Sequence, residues 1–198
     1  MTETLTYKDA NYLKAWDDVK NDTWLDNVKR MVDAHNEEAS KNPTKDIYLA
    51  GGWFNDYQKF SLDMATRMLI KNKTVGYIHV PLLHQYKNAS MENDEEGIFG
   101  TFEWSTATYQ ADITAMQLAD LGVMLWDSPT PDEGTSFEQG FLTALNKPNV
   151  LVTTNDNPDK GMNLMNAKAM TAYVDQWDTL IDYDFNCIMT GFYTGKVI

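Results

Sequence analysis

Cysteine is almost absent from this chain: Cys187 is the only one among 198 residues. A single cysteine excludes an internal disulfide framework and any zinc cluster built on several cysteines. We expect Cys187 to pack as a small, buried or half-buried apolar residue. Histidine is scarce as well, and none of the three is spaced from another as a helical ligand pair. The sequence therefore gives no support for a metal site.

Basic residues are few, with 16 Lys and Arg against 29 Asp and Glu and a net charge of -13. Proteins that bind the phosphate backbone present basic stripes, so we expect no nucleic-acid polymer as a partner. A nucleobase or nucleoside carries no phosphate and stays compatible with this charge. No run of apolar residues approaches the length that spans a bilayer, and the first ten residues lack a signal-peptide core. We therefore expect a cytoplasmic protein that does not bind membranes.

Glycine-rich phosphate motifs are missing too. Gly51 and Gly52 are followed by W-F-N-D, which does not complete G-x-G-x-x-G, and no Walker lysine motif occurs. Neither a dinucleotide nor a nucleoside triphosphate is expected, and no cofactor is predicted. There is no G-x-S-x-G element either, so a serine nucleophile of that type is not expected.

Residues 1–45 differ from the rest of the chain. They are polar, contain no run typical of a strand, and end in the breaker S-K-N-P-T at 40–44. Apolar residues spaced by three and four behind the possible cap Thr23 predict a helix over about 23–38. Leu13, Trp16 and Val19 indicate a shorter helix before it. We interpret 1–45 as a helical extension whose apolar faces must be covered, by the main domain or by a neighbouring subunit.

From residue 46 onwards, strands alternate with helices, which is typical of a parallel sheet. The predicted strands are 46–50, 75–80, 120–126, 149–154 and 173–174, and the third is apolar enough to lie at the sheet centre. Helices are predicted after the first strand, over 104–118, after Asp132 and over 162–171. The polar connection 82–102 is long, and such loops are usually functional or disordered. The sequence therefore predicts an α/β domain over 46–198 with a doubly wound, five-stranded parallel sheet.

The most informative segment is D-E-G-T-S-F-E-Q-G at 132–140, which follows the apolar third strand and opens a helix. In an open α/β sheet, the carboxyl ends of the strands and the helix N-termini after them form the ligand crevice. Glu138 is therefore a candidate for that crevice. The alternative is that Glu138 only complements the helix dipole near the N-terminus.

Other candidates fall at the same edge of the predicted sheet. Asp112 and Asp132 lie on helix or loop positions there, and Tyr48 lies on the first strand. Several carboxylates with separated pKa values are typical of glycosidic chemistry, in which one attacks or stabilises the anomeric carbon and another handles a proton. Trp53 and Phe54, in the loop after the first strand, suit stacking on a planar ligand; the alternative is that their rings are buried beneath the loop.

With these residues in view, the chain over 46–198 resembles the nucleoside 2-deoxyribosyltransferases, a family with a flavodoxin-like fold. The resemblance rests on short blocks in conserved order. They are I-Y-L-A-G-G-W-F at 47–54, V-P-L-L-H-Q-Y-K at 80–87, W-S-T-A-T-Y-Q-A-D at 104–112, the 132–140 block, N-L-M at 163–165 and the terminal F-Y-T-G-K-V-I.

The resemblance implies a role for each matching position. Glu138 matches the nucleophile that forms a covalent 2-deoxyribosyl enzyme, and Tyr48 matches the tyrosine that orients it. Asp112 and Asp132 match carboxylates that hold the nucleoside, and which of them acts as the general acid stays open. Gln85 matches a residue that contacts the base, and Trp53 and Phe54 match the base-binding loop. Asn163 and Met165 match residues that come from a neighbouring subunit.

The resemblance also implies 2′-deoxynucleosides and free nucleobases as substrates, a place in nucleotide salvage, and a homo-oligomer. By the same resemblance, the oligomer is a hexamer built as a trimer of dimers, with Asn163 and Met165 completing a neighbour's site. Two features depart from the family pattern: the extension 1–45, and Ile198 in place of a terminal tyrosine.

Two other functions remain open on the sequence. An N-glycosidase could use the same glutamate with water as acceptor to hydrolyse nucleoside 5′-monophosphates, and Ser136 is the residue that keeps this alternative open. A non-catalytic nucleoside sensor on the same fold is the second alternative, with the extension as its output element.

Overall fold

The computed structural model describes residues 7–39, 44–91, 93–154 and 160–198. Within them lies one parallel sheet of five strands in the order β2-β1-β3-β4-β5. The strands are β1 (Lys45–Ala50), β2 (Val75–His79), β3 (Leu121–Leu125), β4 (Asn149–Val152) and β5 (Ala172–Val174). This is the flavodoxin-like order, with a switch point between β1 and β3. The predicted α/β class and strand number are confirmed.

Helices cover both faces of the sheet. They are α1 (Tyr7–Lys20), α2 (Trp24–Ala39), α3 (Asp56–Leu69), α4 (Phe102–Leu118), α5 (Glu133–Ala144), α6 (Leu164–Ala169) and α7 (Thr179–Asp182). Helices α1, α2, α3 and α7 contribute to the core on one face, and α4, α5 and α6 contribute to the core on the other. No helix in the described ranges is long and apolar enough to cross a membrane.

Strand β1 lies near the middle of the sheet and is buried on both sides. Ile47 and Leu49 join the core under α3, whereas Tyr48 and Ala50 join the core under α4 and α5. Successive side chains of a strand point to opposite faces, so this alternation follows from the strand geometry. It also sends the Tyr48 ring to the face where α5 begins.

The N-terminal helices pack on α3. The apolar stripe of α2 is buried in the main core through Trp24, Val28 and Val32. In addition, the buried Arg67 of α3 donates to Asp18 of α1 at 2.6 Å. The apolar stripe of α2 is therefore covered by the chain's own α/β domain, whereas Leu13 of α1 is 55% exposed.

Helix α2 also covers the free edge of the sheet. The amide of Asn36 accepts from the backbone N–H of Ile78 at 2.6 Å and donates to its carbonyl at 2.9 Å, and His35 Nε2 lies 2.8 Å from the Gly76 carbonyl oxygen. An unpaired edge strand is a template for association with another chain. Asn36 and His35 occupy the backbone groups that β2 would otherwise expose.

Some expectations need correction. Cys187 is exposed, so the prediction that it packs as a buried or half-buried residue is wrong. In this irregular segment Phe185, two residues earlier, takes the buried position, with 1% exposure. The connection 82–102 is partly regular, because 3₁₀ turns form at Pro81–His84 and Tyr86–Asn88. Most of the breaker at 40–44 lies outside the described residues.

Candidate active site

A cavity of about 680 Å³ opens at the carboxyl ends of β1 and β3. One wall is the loop after β1, and the other is the loop after β3 with the start of α5. The lining residues are Gly51, Trp53, Phe54, Asn55, Gln58, Pro81, Thr130, Pro131, Asp132, Glu133, Gly134 and Glu138. Ligands bind at this place in doubly wound sheets, at the topological switch point.

Tyr48 and Glu138 meet at this cavity although 90 positions separate them in sequence. Tyr48 Oη donates to Glu138 Oε1 at 2.5 Å, a short distance for a hydrogen bond to a carboxylate. The Tyr48 side chain is fully buried, whereas Glu138 reaches the cavity. Because Tyr48 engages one carboxylate oxygen, the buried strand β1 helps to fix the orientation of Glu138.

The position of Glu138 in its helix differs from the expectation. Helix α5 begins at Glu133, which is the acidic residue of the first turn, and Glu138 lies in the second turn. Favourable interaction with the helix dipole falls off within the first turn. The dipole therefore does not account for Glu138 at this position.

The pKa of Glu138 is raised to about 8: burial is the main cause, the hydrogen bond from Tyr48 opposes it, and the nearby charges of Asp112 and Asp132 add to the rise. The pKa of Tyr48 is also raised, mainly by burial and then by the charges of Glu138 and Asp112. Tyr48 therefore stays protonated and acts as a donor. A carboxyl group with a strongly perturbed pKa in a cleft is a common property of functional sites.

The two aspartates near Glu138 have different environments. Asp132 is the N-cap of α5: its Oδ2 accepts from the Thr135 N–H at 2.6 Å and from the Thr135 hydroxyl at 2.8 Å. It also lines the cavity. Asp112 lies on α4, and its Oδ1 is buried without a hydrogen-bond partner among the described residues. A buried carboxylate oxygen without a donor is costly, so Asp112 is suited to accept a hydrogen bond from a ligand.

The aromatic pair after β1 faces the cavity. Phe54 is 63% exposed, and the Trp53 and Phe54 ring centroids lie 5.2 Å apart. Both residues line the cavity; Phe54 is not buried beneath the loop, whereas Trp53 is half-buried and also packs against the core. Their rings, tilted by 31° to each other, provide an apolar wall in the same cavity as Asp132 and Glu138, and an aromatic wall suits a planar heterocycle.

This geometry can be compared with known proteins. Residues 47–170, more than half of the chain, match the family model for nucleoside 2-deoxyribosyltransferase. The chain belongs to this family.

Individual relatives agree with the family model. A nucleoside deoxyribosyltransferase of Limosilactobacillus fermentum is 40% identical over 144 residues, which cover 71% of this chain and 86% of the relative. A nucleoside deoxyribosyltransferase of Lactobacillus leichmannii is 30% identical over 157 residues, covering 78% of this chain and 99% of the relative. The solved 2-deoxyribosyltransferase of Bacillus psychrosaccharolyticus is 27% identical with a TM-score of 0.59, covering 75% of this chain and 98% of the other.

Besides Tyr48 and Asp112, three further positions that the nucleoside 2-deoxyribosyltransferase pattern singles out are not among the cavity-lining residues of the described chain. Gln85 is buried, and its Nε2 donates to the Pro81 carbonyl at 3.0 Å. Asn163 is the N-cap of α6, accepting from the Met165 N–H at 2.9 Å, and Met165 is 74% exposed. Within one subunit, Asn163 and Met165 are surface residues.

Sequence reasoning missed several residues that shape the site of this transferase. His79, at the end of β2, stacks on Tyr48 with centroids 5.4 Å apart, and His84 stacks on His79 at 4.3 Å. Burial lowers the pKa of His84, and His79 lowers it further, which favours a neutral ring.

The helix start N-D-Y-Q contains a cap, Asn55, followed three residues later by Gln58, and this spacing could have indicated their role. No group of three potential ligands for a metal occurs in the part of the chain that the structure describes.

Proposed function

We propose that this enzyme transfers the 2-deoxyribosyl group between nucleobases by a retaining double displacement, with Glu138 as the nucleophile. The observation that carries the proposal is the 2.5 Å contact of Tyr48 Oη with Glu138 Oε1 at the cavity. One oxygen of Glu138 is held by the buried tyrosine. The carboxylate then presents its other oxygen to a sugar carbon in the cavity.

In the first step, a Glu138 oxygen attacks C1′ of a 2′-deoxynucleoside while the bond from C1′ to the base nitrogen breaks. The electron pair of that bond leaves with the base, and the base takes up a proton. A covalent glycosyl ester remains. In the second step, the nitrogen of an incoming base attacks C1′ from the original side, loses its proton, and releases the Glu138 carboxylate. Two inversions restore the β configuration, and the transition states resemble an oxocarbenium ion.

The departing base needs a proton donor or a hydrogen-bond donor. Asp132 lines the cavity, and Asp112 has a buried oxygen without a partner among the described residues. A positioned general acid typically contributes on the order of 10²- to 10⁴-fold to rate. Both aspartates lie close enough to Glu138 to raise its pKa, and Asp132 also shares the cavity with the aromatic wall, where the base would stack.

The charge of the cavity favours a nucleoside over a nucleotide. Its lining includes the carboxylates of Asp132 and Glu133 beside Glu138, and none of the described lining residues is Lys or Arg. A 5′-phosphate would meet like charges without a compensating cation. Ser136, which kept the monophosphate alternative open, uses its hydroxyl to donate to the Asp132 carbonyl at 3.1 Å.

Assembly forms a second part of the proposal. Asn163 and Met165 are exposed on α6 and do not line the cavity of their own subunit. We propose that in a homo-oligomer they complete a site of a neighbouring subunit. The resemblance favours a hexamer built as a trimer of dimers.

Incubation with thymidine and adenine tests the reaction. We expect deoxyadenosine and free thymine in equal amounts, measured by liquid chromatography. Free thymine with free deoxyribose, and no deoxyadenosine, would indicate a hydrolase instead. Unchanged substrates, despite binding of thymidine in a calorimetric titration, would indicate a sensor.

A further inference from the structure

The two loops that form the walls of the cavity are joined by a buried side chain. Gln58, in the first turns of α3, is 6% exposed. Its Oε1 accepts from the backbone N–H of Phe54 at 2.9 Å, and its Nε2 donates to the backbone carbonyl of Thr130 at 3.1 Å. One amide therefore links the aromatic loop after β1 to the loop that leads to Asp132.

A second set of contacts connects the same loops. Asn55 Nδ2 donates to Asp127 Oδ2 at 3.1 Å and to Thr130 Oγ1 at 3.2 Å, and Thr130 Oγ1 donates to Asp127 Oδ2 at 2.7 Å. Asn55 Oδ1 accepts from the backbone N–H of Gln58 at 2.8 Å. The oxygen of the Asn55 amide thereby caps α3, and the nitrogen of the same amide holds the loop that contains Asp127 and Thr130. We call Gln58, Asn55, Asp127 and Thr130 the loop clamp.

The backbone beside Gln58 is also fitted to it. A Cβ atom at Gly52 would lie 2.6 Å from Gln58 Oε1, closer than carbon and oxygen can approach without displacement. Only glycine leaves room for the amide at this place. Glycine at position 52 therefore allows the Gln58 side chain to approach the loop.

We propose that Gln58 is a positioning residue for the transfer reaction, which sets the separation between the aromatic wall and the wall that carries Asp132. This inference rests on the proposed function. Both ends of the Gln58 amide bind backbone atoms of opposite walls, so the side chain acts on a substrate through Phe54 and the loop of Thr130. An amide is required, because one end must accept from an N–H and the other must donate to a carbonyl.

The clamp has a distinct kinetic consequence. Glu138 and Tyr48 are held by α5 and β1, outside the two loops, so the reacting carboxylate keeps its orientation when the loops separate. The base, in contrast, stacks against Phe54 and faces Asp132, so its binding depends on the loops. Loss of the clamp should raise KM and Kd much more than it lowers kcat.

The test is the substitution Gln58→Glu, which preserves shape and the acceptor but removes the donor to the Thr130 carbonyl. We expect KM for thymidine and for adenine to rise about ten-fold, the size expected from loss of one ordering hydrogen bond, with kcat within about three-fold of wild type. Gln117→Glu, at an exposed position on α4, is the matched control and should leave both constants unchanged.

A second variant protects the test against misfolding of the first. Thr130→Val, at an exposed position, removes the hydroxyl contacts to Asn55 and Asp127 and should raise KM in the same direction. Unchanged KM in either folded variant, or a fall in kcat with KM constant, would overturn the positioning role. Calorimetric Kd values for thymidine, measured with each clamp residue native or replaced in a Glu138→Ala background, do not depend on turnover. A wild type that binds thymidine but does not transfer would refute the proposed function, whereas the clamp would still be judged by the Kd values.

Discussion

Replacing Glu138 with glutamine should remove a loss of stability that the wild type undergoes as the pH rises. The raised pKa means that the folded state holds a proton on Glu138 that the unfolded state releases at lower pH. The favourable contribution is therefore fully present below the ordinary pKa of 4.5 and is lost as the pH rises through the folded pKa of about 8. Glutamine cannot ionise, yet its amide oxygen can still accept from Tyr48.

The magnitude follows from the two pKa values. Each pKa unit corresponds to about 1.4 kcal/mol, and the interval from pH 5 to pH 8 lies between the unfolded pKa of 4.5 and the folded pKa of about 8, so the wild type should lose about 3–4 kcal/mol of stability over that range through this group. The Glu138→Gln variant should not show this loss. The difference in unfolding free energy between variant and wild type should shift by about that amount in favour of the variant.

Urea unfolding at several pH values, at one protein concentration, measures this shift. The control is Glu133→Gln, because Glu133 lies in the first turn of the same helix and is exposed. Comparing variant with wild type at each pH removes the effects of all other titrating groups. A difference that stays constant from pH 5 to pH 8 would mean that Glu138 titrates as an ordinary carboxyl, and the electrostatic account of the site would be refuted.

Three other perturbations have defined outcomes. Tyr48→Phe should lower the transfer rate by about 10- to 100-fold, the value of a hydrogen bond to a charged group. It should also move the acidic limb of the pH profile to higher pH, because the hydrogen bond lowers the pKa of Glu138. An unchanged rate and pH profile would show that the hydroxyl has no part in catalysis. Asn36→Ala should reduce the free energy of unfolding by about 1–3 kcal/mol, because it leaves backbone groups at the edge of β2 unpaired. Lys29→Ala, on the same helix, should have little effect. Equal effects of the two substitutions in urea unfolding would contradict the edge role of Asn36. Mixed subunits of Glu138→Ala and Asn163→Trp should regain part of the transfer activity that each variant lacks alone; no recovery after proven subunit exchange would place the site in one subunit.

Much of the fold could be predicted because it depends on local patterns. The apolar runs that end at breakers gave each strand to within a few residues, and spacing by three and four gave α2 and α3. The 3₁₀ turns after β2 could not be predicted in this way, since distant contacts stabilise them. The Tyr86 N–H donates to Thr108 Oγ1 at 3.1 Å, and Trp104 Nε1 donates to the Ala89 carbonyl at 2.9 Å. Helix α7 has four residues, too few for a periodic pattern.

The candidate site was predictable as a place, but not in its contacts. The rule for doubly wound sheets directed attention to the edge where Glu138 lies. The sequence contained no measure of the distance from Glu138 to Tyr48, which depends on the register of β1 and β3 and on where α5 begins. The capping role of Asp132 was predictable, because aspartate directly before a helix is a preferred N-cap, and its Oδ2 accepts from the Thr135 N–H. The spacing from Asn55 to Gln58 indicated a capped helix start, but it did not indicate that the Gln58 amide joins two loops.

The central claim is that Glu138 carries the sugar during transfer. A 2-fluoro-2-deoxynucleoside tests it most directly, because the fluorine destabilises the oxocarbenium-like transition state and slows breakdown of the ester. After incubation and proteolysis, mass spectrometry should find one fluorodeoxyribosyl group on the peptide that contains Glu138, and addition of adenine should remove it with formation of a new nucleoside. A label on another peptide, or continued transfer with Glu138→Ala at the wild-type rate, would contradict the account.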